Sequence, residues 1–489
     1  MKRKPARAIV VGCVAGSLAL TALAVPALAS PGTAPGTNGD PEIGADGWVH
    51  VEPNGTVLGP DPYYPKDGNG GYRAENYKVD VKYDPASKKL DGTAVMTAKT
   101  TQRLKQFNLD LQGLEVSSVK VNGAEAKHSR ADEHELVIVP ATVLEKDAAV
   151  TVEVVYSGTP AAIDTPRGKT GWQELPGGGA VAAGAPHSAR TWFPINDTQM
   201  AKATFDLTAT VPDGWSVVSI GAEQQVTRAN GQATFTWKEA GKVPPQGIAI
   251  GIDKWEFERG SLPDGKPVVN AFAPDAGDKR DLAKKLPEVV EFLATKMGAY
   301  PQSSAGGMFL PKSTGYTAPA QGRPVYDGSA DLSTLVYATA SQWWGNLLSV
   351  EMWKDTCLMD CVAHYATWMW DEKNGADLAA RYKEIVEANR DKPEFWATNL
   401  GDPGAGKEYA TTAKGVLLMH ALRKQIGDAK FDSILKSFPA NNKNWNQGWH
   451  DWELYVNAVT QQKLNDFFAA WVHGTKIPEE KFLYPQGAK

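Results

Sequence analysis

Cys357, Asp360, Cys361 and His364 have the residue types and the spacing of a ligand set. They fall at i, i+3, i+4 and i+7, so on a helix they share one face. Two thiolates, an imidazole and a carboxylate suit Zn2+ or Cu(I). A plainer reading competes with this metal site. The two cysteines are buried thiols or a strained disulfide, because an i, i+4 pair on a helix sits near the upper limit of Cα separation for a bridge. His364 then lies at the edge of a cleft. The eight histidines are otherwise scattered and show no second metal-ligand spacing. Other reactive groups carry less. His187 and Ser188 are adjacent, and neighbours in an extended chain point to opposite faces. Ser341 likewise has no His/Asp arrangement that the sequence places beside it. Trp445, Trp449 and Trp452, with His450, offer ring surface to a sugar or a peptide side chain, but spacings of four and three read as a packed helix face. Gly177-Gly178-Gly179 precedes no phosphate-loop lysine and reads as a loop.

The elements that must position the ligand set are a helix beginning near Thr334, a Trp-rich turn around Gly345-Asn346, and a second helix carrying the four residues. Upstream, Tyr77, Val79, Val81 and Tyr83 alternate with polar residues, as a half-buried strand requires. Further short strands follow at Phe107 to Leu111, Val116 to Val121, Leu136 to Val139 and Val150 to Tyr156. Asn122-Gly123 is a hairpin signal, and the set predicts an antiparallel sandwich closing near Ile248 to Phe257. After Asp264-Gly265-Lys266-Pro267 the spacing turns helical: from Leu282 to Met297, Leu286, Val289, Val290, Phe292 and Leu293 recur at three and four. Helical stretches are also expected at Leu378 to Ala388, Gly415 to Ile426, Phe431 to Phe438 and Leu464 to Trp471. The predicted class is multi-domain α+β, an N-terminal β-sandwich domain (73–264) followed by a mostly helical α/β domain (265–480) and a tail (481–489). Residues 30–72, rich in Pro, Gly, Asp and Asn, read as a flexible lead.

Composition sets further bounds. The chain has 489 residues and a net charge of −5. Neither a basic stripe nor a polybasic cluster is present, which argues against nucleic acid and anionic membrane as partners. Lys2-Arg3-Lys4 and Arg7, the apolar run from Ala8 to Ala24 and the small-x-small Ala27-Leu28-Ala29 predict a signal peptide (1–29) and a secreted chain. Val10-Val11-Gly12-Cys13 loosely resembles a lipoprotein box but leaves a very short apolar stretch ahead of Cys13. No other run approaches the roughly 18 apolar residues that span a bilayer.

With Gln342-Trp343-Trp344-Gly345-Asn346 as anchor, the core stretch resembles the zinc-binding centre of the aminopeptidase N family, peptidase family M1. That family writes H-E-x-x-H just before this anchor, and a glutamate after an eighteen-residue spacer that here ends on Asp360. Trp192-Phe193-Pro194-Ile195-Asn196-Asp197 and Lys202-Ala203-Thr204-Phe205 resemble the signature of the family's N-terminal β domain. The resemblance implies a β domain and a thermolysin-like domain with a cleft between them. It also implies that the chemistry is emptied. Tyr337 and Ser341 stand at the two histidine positions, Ala338 at the general base, and Asp360 at the third ligand. Gly315 to Tyr326 resembles the segment that reads a substrate's α-amine, with Pro319 at its glutamate. Aligning Lys414-Gly415 puts Thr412 at the transition-state tyrosine, and Tyr409 is out of register. These replacements predict no zinc, a cofactor of the family, and a non-catalytic protein that binds peptides or an exported protein in the former cleft. The alternative is an active zinc aminopeptidase with unusual ligands, as family similarity implies.

Overall fold

The computed structural model describes residues 61–485 except 166, 275, 278, 312–314 and 316, together with the backbone of a short strand pair, His50–Val51 and Val57–Leu58. The signal segment, Cys13 and Trp48 lie outside the described residues. Alternation builds the N-terminal part. Along Tyr72–Asp84, Tyr77, Val79, Val81 and Tyr83 are buried while Lys78, Asp80 and Lys82 face out. This strand sits in an eight-stranded sheet, ordered Ala222–Ala229, Gln232–Val243, Ala203–Pro212, Tyr72–Asp84, Lys89–Thr100, Ala149–Gly158, Glu115–Val121, Ala124–Glu125. Tyr72–Asp84 and Ala203–Pro212 pair in parallel, and the other neighbours antiparallel. Asn122 and Gly123 both have positive φ, 51° and 82°. That matches the twist a two-residue hairpin needs, and Val121 pairs with Ala124 across it. A five-stranded antiparallel sheet (Ala162–Thr165, Gly168–Glu174, Ala180–Ala183, Ala249–Asp253, Ser216–Ser219) and a three-stranded one (Phe107–Asp110, Glu135–Val139, Lys127–Arg130) complete the β part.

The change of texture at 264/265 does not end the strands. Glu256–Ser261 and Pro267–Phe272 form a hairpin across it, and two short strands, Ala305–Phe309 and Val325–Tyr326, extend the sheet in parallel. This four-stranded sheet is a wall between two cores. Val269, Ala271, Met308 and Val325 belong to the core of the β part, whereas Val268, Phe272, Phe309 and Tyr326 belong to the helical core. Period two in a strand buried on both sides distributes alternate residues to the two faces. Both cores lie within one compact unit, Ile43–Lys489.

The helices are α1 (Leu286–Met297), α2 (Leu332–Ala340), α3 (Thr356–Lys373), α4 (Leu378–Asn389), α5 (Thr412–Ile426), α6 (Asp428–Asn441), α7 (Trp449–Thr460) and α8 (Asn465–Trp471), with shorter helical turns between some of them. Trp449 and Trp452 are packed inside the helical core, which leaves only Trp445 exposed among the three tryptophans read as a ring surface. Among the described residues no helix is long and apolar enough to cross a membrane.

Residues 61–71, read from composition as part of a flexible lead, are built into the molecule. Asp61 accepts from the Trp353 amide at 2.7 Å, and the Tyr64 hydroxyl donates to Glu408. Asp67 is buried against Arg190, 2.9 Å away, and against His187. A Pro- and Gly-rich stretch has no periodicity for sequence to read, but each of these polar side chains meets a partner from a distant element.

Candidate functional site

Two helices and one turn set the geometry. Asp331 caps α2, accepting from the Thr334 amide at 2.8 Å, and the Thr334 hydroxyl lies 3.3 Å from the Asp331 amide in return. The helix is buried from Leu335 to Ala340 and ends at the Trp-rich turn, where Gly345 adopts φ of 141° and its amide donates to the Leu348 carbonyl at 2.7 Å. Gln342 ties this turn to the segment beneath it. Its side-chain nitrogen donates to the carbonyls of Ala338 (3.0 Å) and Ala320 (3.2 Å), and its oxygen accepts from the Gly322 amide (2.8 Å). Asn346 donates to the Pro319 carbonyl at 2.8 Å. The resembled anchor motif therefore works as backbone scaffolding.

A cleft of about 600 Å3, counting its open mouth, lies beside this scaffold. Tyr337, Ser341, Asp360, Pro319, Arg167 and Tyr409 contribute to its lining. Tyr337 donates to Asp360 Oδ1 at 2.7 Å, and Thr412 at the start of α5 donates to Asp360 Oδ2 at 3.3 Å. His364 Nε2 lies 3.6 Å from the same Oδ2, and its ring stacks on Tyr337 with centroids 4.1 Å apart. The Ser341 hydroxyl donates to the Tyr337 carbonyl of its own helix at 2.9 Å. Ala338 is fully buried in the helical core. Burial, and then the Asp360 charge, hold the Tyr337 phenol well above its ordinary pKa. Burial does the same for Tyr409, against the pull of Arg167. The Arg167 guanidinium lies 4.2 Å from the Tyr409 ring centroid, a cation–π contact.

Of the sequence-selected residues, the structure brings Tyr337, Asp360, His364 and Thr412 together, with Ser341 and Pro319 on the same cleft. It divides the group of four on α3. Asp360 and His364 turn to α2, whereas Cys357 and Cys361 turn to α5. The two sulfurs are joined in a disulfide with Cα atoms 4.9 Å apart, inside the usual range for a bridge and not at its upper limit. A Cβ placed on Gly415 of α5 would lie 2.1 Å from Cys361 Sγ and 2.7 Å from Cys357 Sγ, so the bridge fills the space that this glycine leaves. Sulfurs bonded to each other supply no thiolate, and the four side chains do not converge on one point. Arg167 was missed by the sequence reading. It arrives from a turn between two strands of the five-stranded sheet, and nothing local marks it. Tyr409, set aside as out of register, does reach the cleft. Arg323 of Arg323-Pro324-Val325-Tyr326 is buried: its Nε donates to the Val269 carbonyl at 3.1 Å and its guanidinium lies 4.8 Å from the Trp237 ring centroid.

Comparison with known proteins gives a consistent picture. Residues 73–245 match the model of the peptidase M1 N-terminal domain. Aminopeptidase N of Lactococcus lactis subsp. cremoris is 22% identical over 443 residues, covering 83% of this chain and 51% of that protein. A leucyl aminopeptidase of Saccharolobus solfataricus is 22% identical over 318 residues, covering 58% of this chain and 40% of that protein. The chain thus spans 51% and 40% of the lengths of these two relatives. An M1 zinc metallopeptidase from Deinococcus radiodurans, solved as a mutant bound to a Tyr-Ser-Ala substrate, has a similar fold. Its TM-score is 0.78 at 23% identity, covering 86% of this chain and 98% of the other.

Proposed function

We propose that this chain, whose residues 73–245 match the peptidase M1 N-terminal domain, is a member of that family without peptidase chemistry, whose cleft holds peptides without cleaving them. One observation carries the reading. Asp360, the carboxylate at the third ligand position, is engaged by the hydroxyls of Tyr337 and Thr412, at 2.7 and 3.3 Å. A catalytic zinc needs three protein ligands from His, Asp, Glu or Cys and one open position. The residues present do not fit it. Tyr337 is a phenol that burial keeps protonated, Ser341 is turned to its own helix, and one carboxylate stands alone. Nor is there a base at Ala338, and general base catalysis is worth roughly 10²–10⁴ in rate. Peptide binding is supported by the family's substrates and by a cleft that retains rings, Arg167 and Asp360. Export is proposed from the N-terminal segment, and the Cys357–Cys361 bridge supports it, since disulfides persist in oxidising compartments.

The test is hydrolysis of aminoacyl-anilides by the purified protein with and without added Zn2+. No turnover is expected in either. Turnover that a chelator abolishes, and that Asp360→Ala also abolishes, would establish an active metallo-aminopeptidase and overturn the reading.

A further inference from the structure

Outside the cleft, the β part buries a polar cluster that the reading above does not use. Asp110 ends the strand Phe107–Asp110 and Glu135 begins Glu135–Val139. The two are register partners, so their side chains stand directly opposite each other. Like charges so placed repel. His134 precedes Glu135, and one ligand atom from each of Asp110, His134 and Glu135 lies within 4.8 Å of the other two. Asp110 is fully buried and the other two are at least nine-tenths buried.

The carboxylates here outnumber the cations. Asp67 and Asp197 are buried beside the trio, and the single guanidinium, Arg190, donates to Asp67 at 2.9 Å and lies 3.8 Å from Asp197. Asp110 accepts from the Asp197 amide (2.7 Å) and from Asn69 (3.3 Å). The Glu135 carboxyl hydrogen-bonds the side chains of Asn108 and Asp110, yet its Oε2 is buried with no hydrogen-bond partner. A buried charged oxygen left unsatisfied is costly, and such oxygens are normally paired or bound to metal.

We propose that Asp110, His134 and Glu135 form a divalent-cation site in the β part, separate from the cleft. One imidazole nitrogen with two carboxylates is a mixed N/O set suited to Zn2+. Mg2+ and Ca2+ prefer oxygen alone. A cation there engages the unpartnered Glu135 oxygen and offsets the surplus charge at once. The competing arrangement is a proton shared by the pair. Burial raises Asp110 well above the carboxylate range and Glu135 to about 7. A shared proton needs no nitrogen from His134, whose Nε2 donates to the Lys66 carbonyl at 3.0 Å, so the two arrangements separate by experiment. The sequence hides this site because its ligands come from two strands and the bend before one of them and share no helical spacing.

The experiment uses the full protein, stripped with chelator and dialysed against Zn2+, with metal content and thermal midpoint as readouts. The expected result is one Zn2+ per chain and a raised midpoint in the wild type and in Asp360→Asn. Both effects are expected to vanish in Glu135→Gln, a near-isosteric change. His134→Gln, at the rim of the cluster, gives a second reading if Glu135→Gln does not fold. No uptake by the wild type overturns the proposal in favour of the shared proton. Uptake indifferent to both β-part variants also overturns it. Uptake lost only in Asp360→Asn overturns it too, and would place the metal in the cleft, against the reading proposed for that site.

Discussion

Tyr337, which the resemblance to the M1 family sets at a histidine-ligand position, hydrogen-bonds Asp360 on the facing helix at 2.7 Å, so the two side chains support each other. This coupling makes a repair informative. Tyr337→His, Ala338→Glu, Ser341→His and Asp360→Glu together should restore zinc binding in the cleft if the backbone has kept its frame. The measurement belongs in a Glu135→Gln background, so that zinc held elsewhere does not contribute. Little peptidase activity is expected from these four changes alone. Thr412 supplies no tyrosine hydroxyl to the oxyanion, a contribution worth roughly 10²–10³ in rate. Pro319 cannot pair with a substrate amine, so orientation is missing as well. Adding Thr412→Tyr and Pro319→Glu should raise the rate. A fourfold variant that folds and binds no zinc would show that α2 and α3 no longer hold the ligand spacing.

Helices and strands were legible from sequence where one face is buried and the other wet. Tyr72–Asp84 alternates for that reason, and α1 shows spacings of three and four. Ala305–Phe309 and Val325–Tyr326 escaped because they are buried on both faces and show no alternation, and Gly306-Gly307 gives no strand signal. The site's frame was legible through its Gln-Trp-Trp-Gly anchor. Its hydrogen bonds were not, because Tyr337, Asp360 and Thr412 meet only in three dimensions. The junction of α3 with α5 gives a test at this scale. Gly415→Ala should gain about 1 kcal/mol in helix propensity. Its Cβ, however, would meet sulfur at 2.1 Å, and the cross-linked sulfurs cannot swing aside. Overpacking of this kind costs about 1–3 kcal/mol, so denaturant unfolding should show net destabilisation. In a Cys357→Ala, Cys361→Ala background the same change should cost less, because only the Cβ of residue 361, 2.8 Å from the new methyl, then remains in close contact. The contact of Asp355 with the first amide of α7 gives a second test. Asp355 accepts from the Trp449 amide at 3.3 Å, and burial raises its pKa to about 6. The folded protein therefore holds this proton more tightly than the unfolded chain does. Stability from this group is fully present below about pH 4 and is lost as pH rises through about 6. Asp355→Asn should gain on the wild type between pH 5 and pH 8, by on the order of 1 kcal/mol in denaturant titrations. An unchanged difference across that range would contradict the assignment.

At the scale of the whole molecule the wall sheet decides how the chain unfolds. Its alternate residues belong to different cores, so neither core is complete without it. Lys202 adds a second tie. Buried in the β part, it donates to the carbonyls of Trp445 at 2.9 Å and Leu347 at 3.3 Å, both in the helical part. Thermal unfolding followed by near-UV and far-UV circular dichroism should therefore show coincident single transitions. A fragment ending at residue 264 should not unfold cooperatively, because Glu256–Ser261 loses its hairpin partner. Two separated transitions in the full chain would contradict this. The same wall limits how such a gene can recombine with its relatives. A crossover at the visible change of texture, between 264 and 265, would give one hairpin two parents and ask strands of different descent to fit two interiors at once. Viable hybrids should instead inherit the wall whole, with their joints on either side of it.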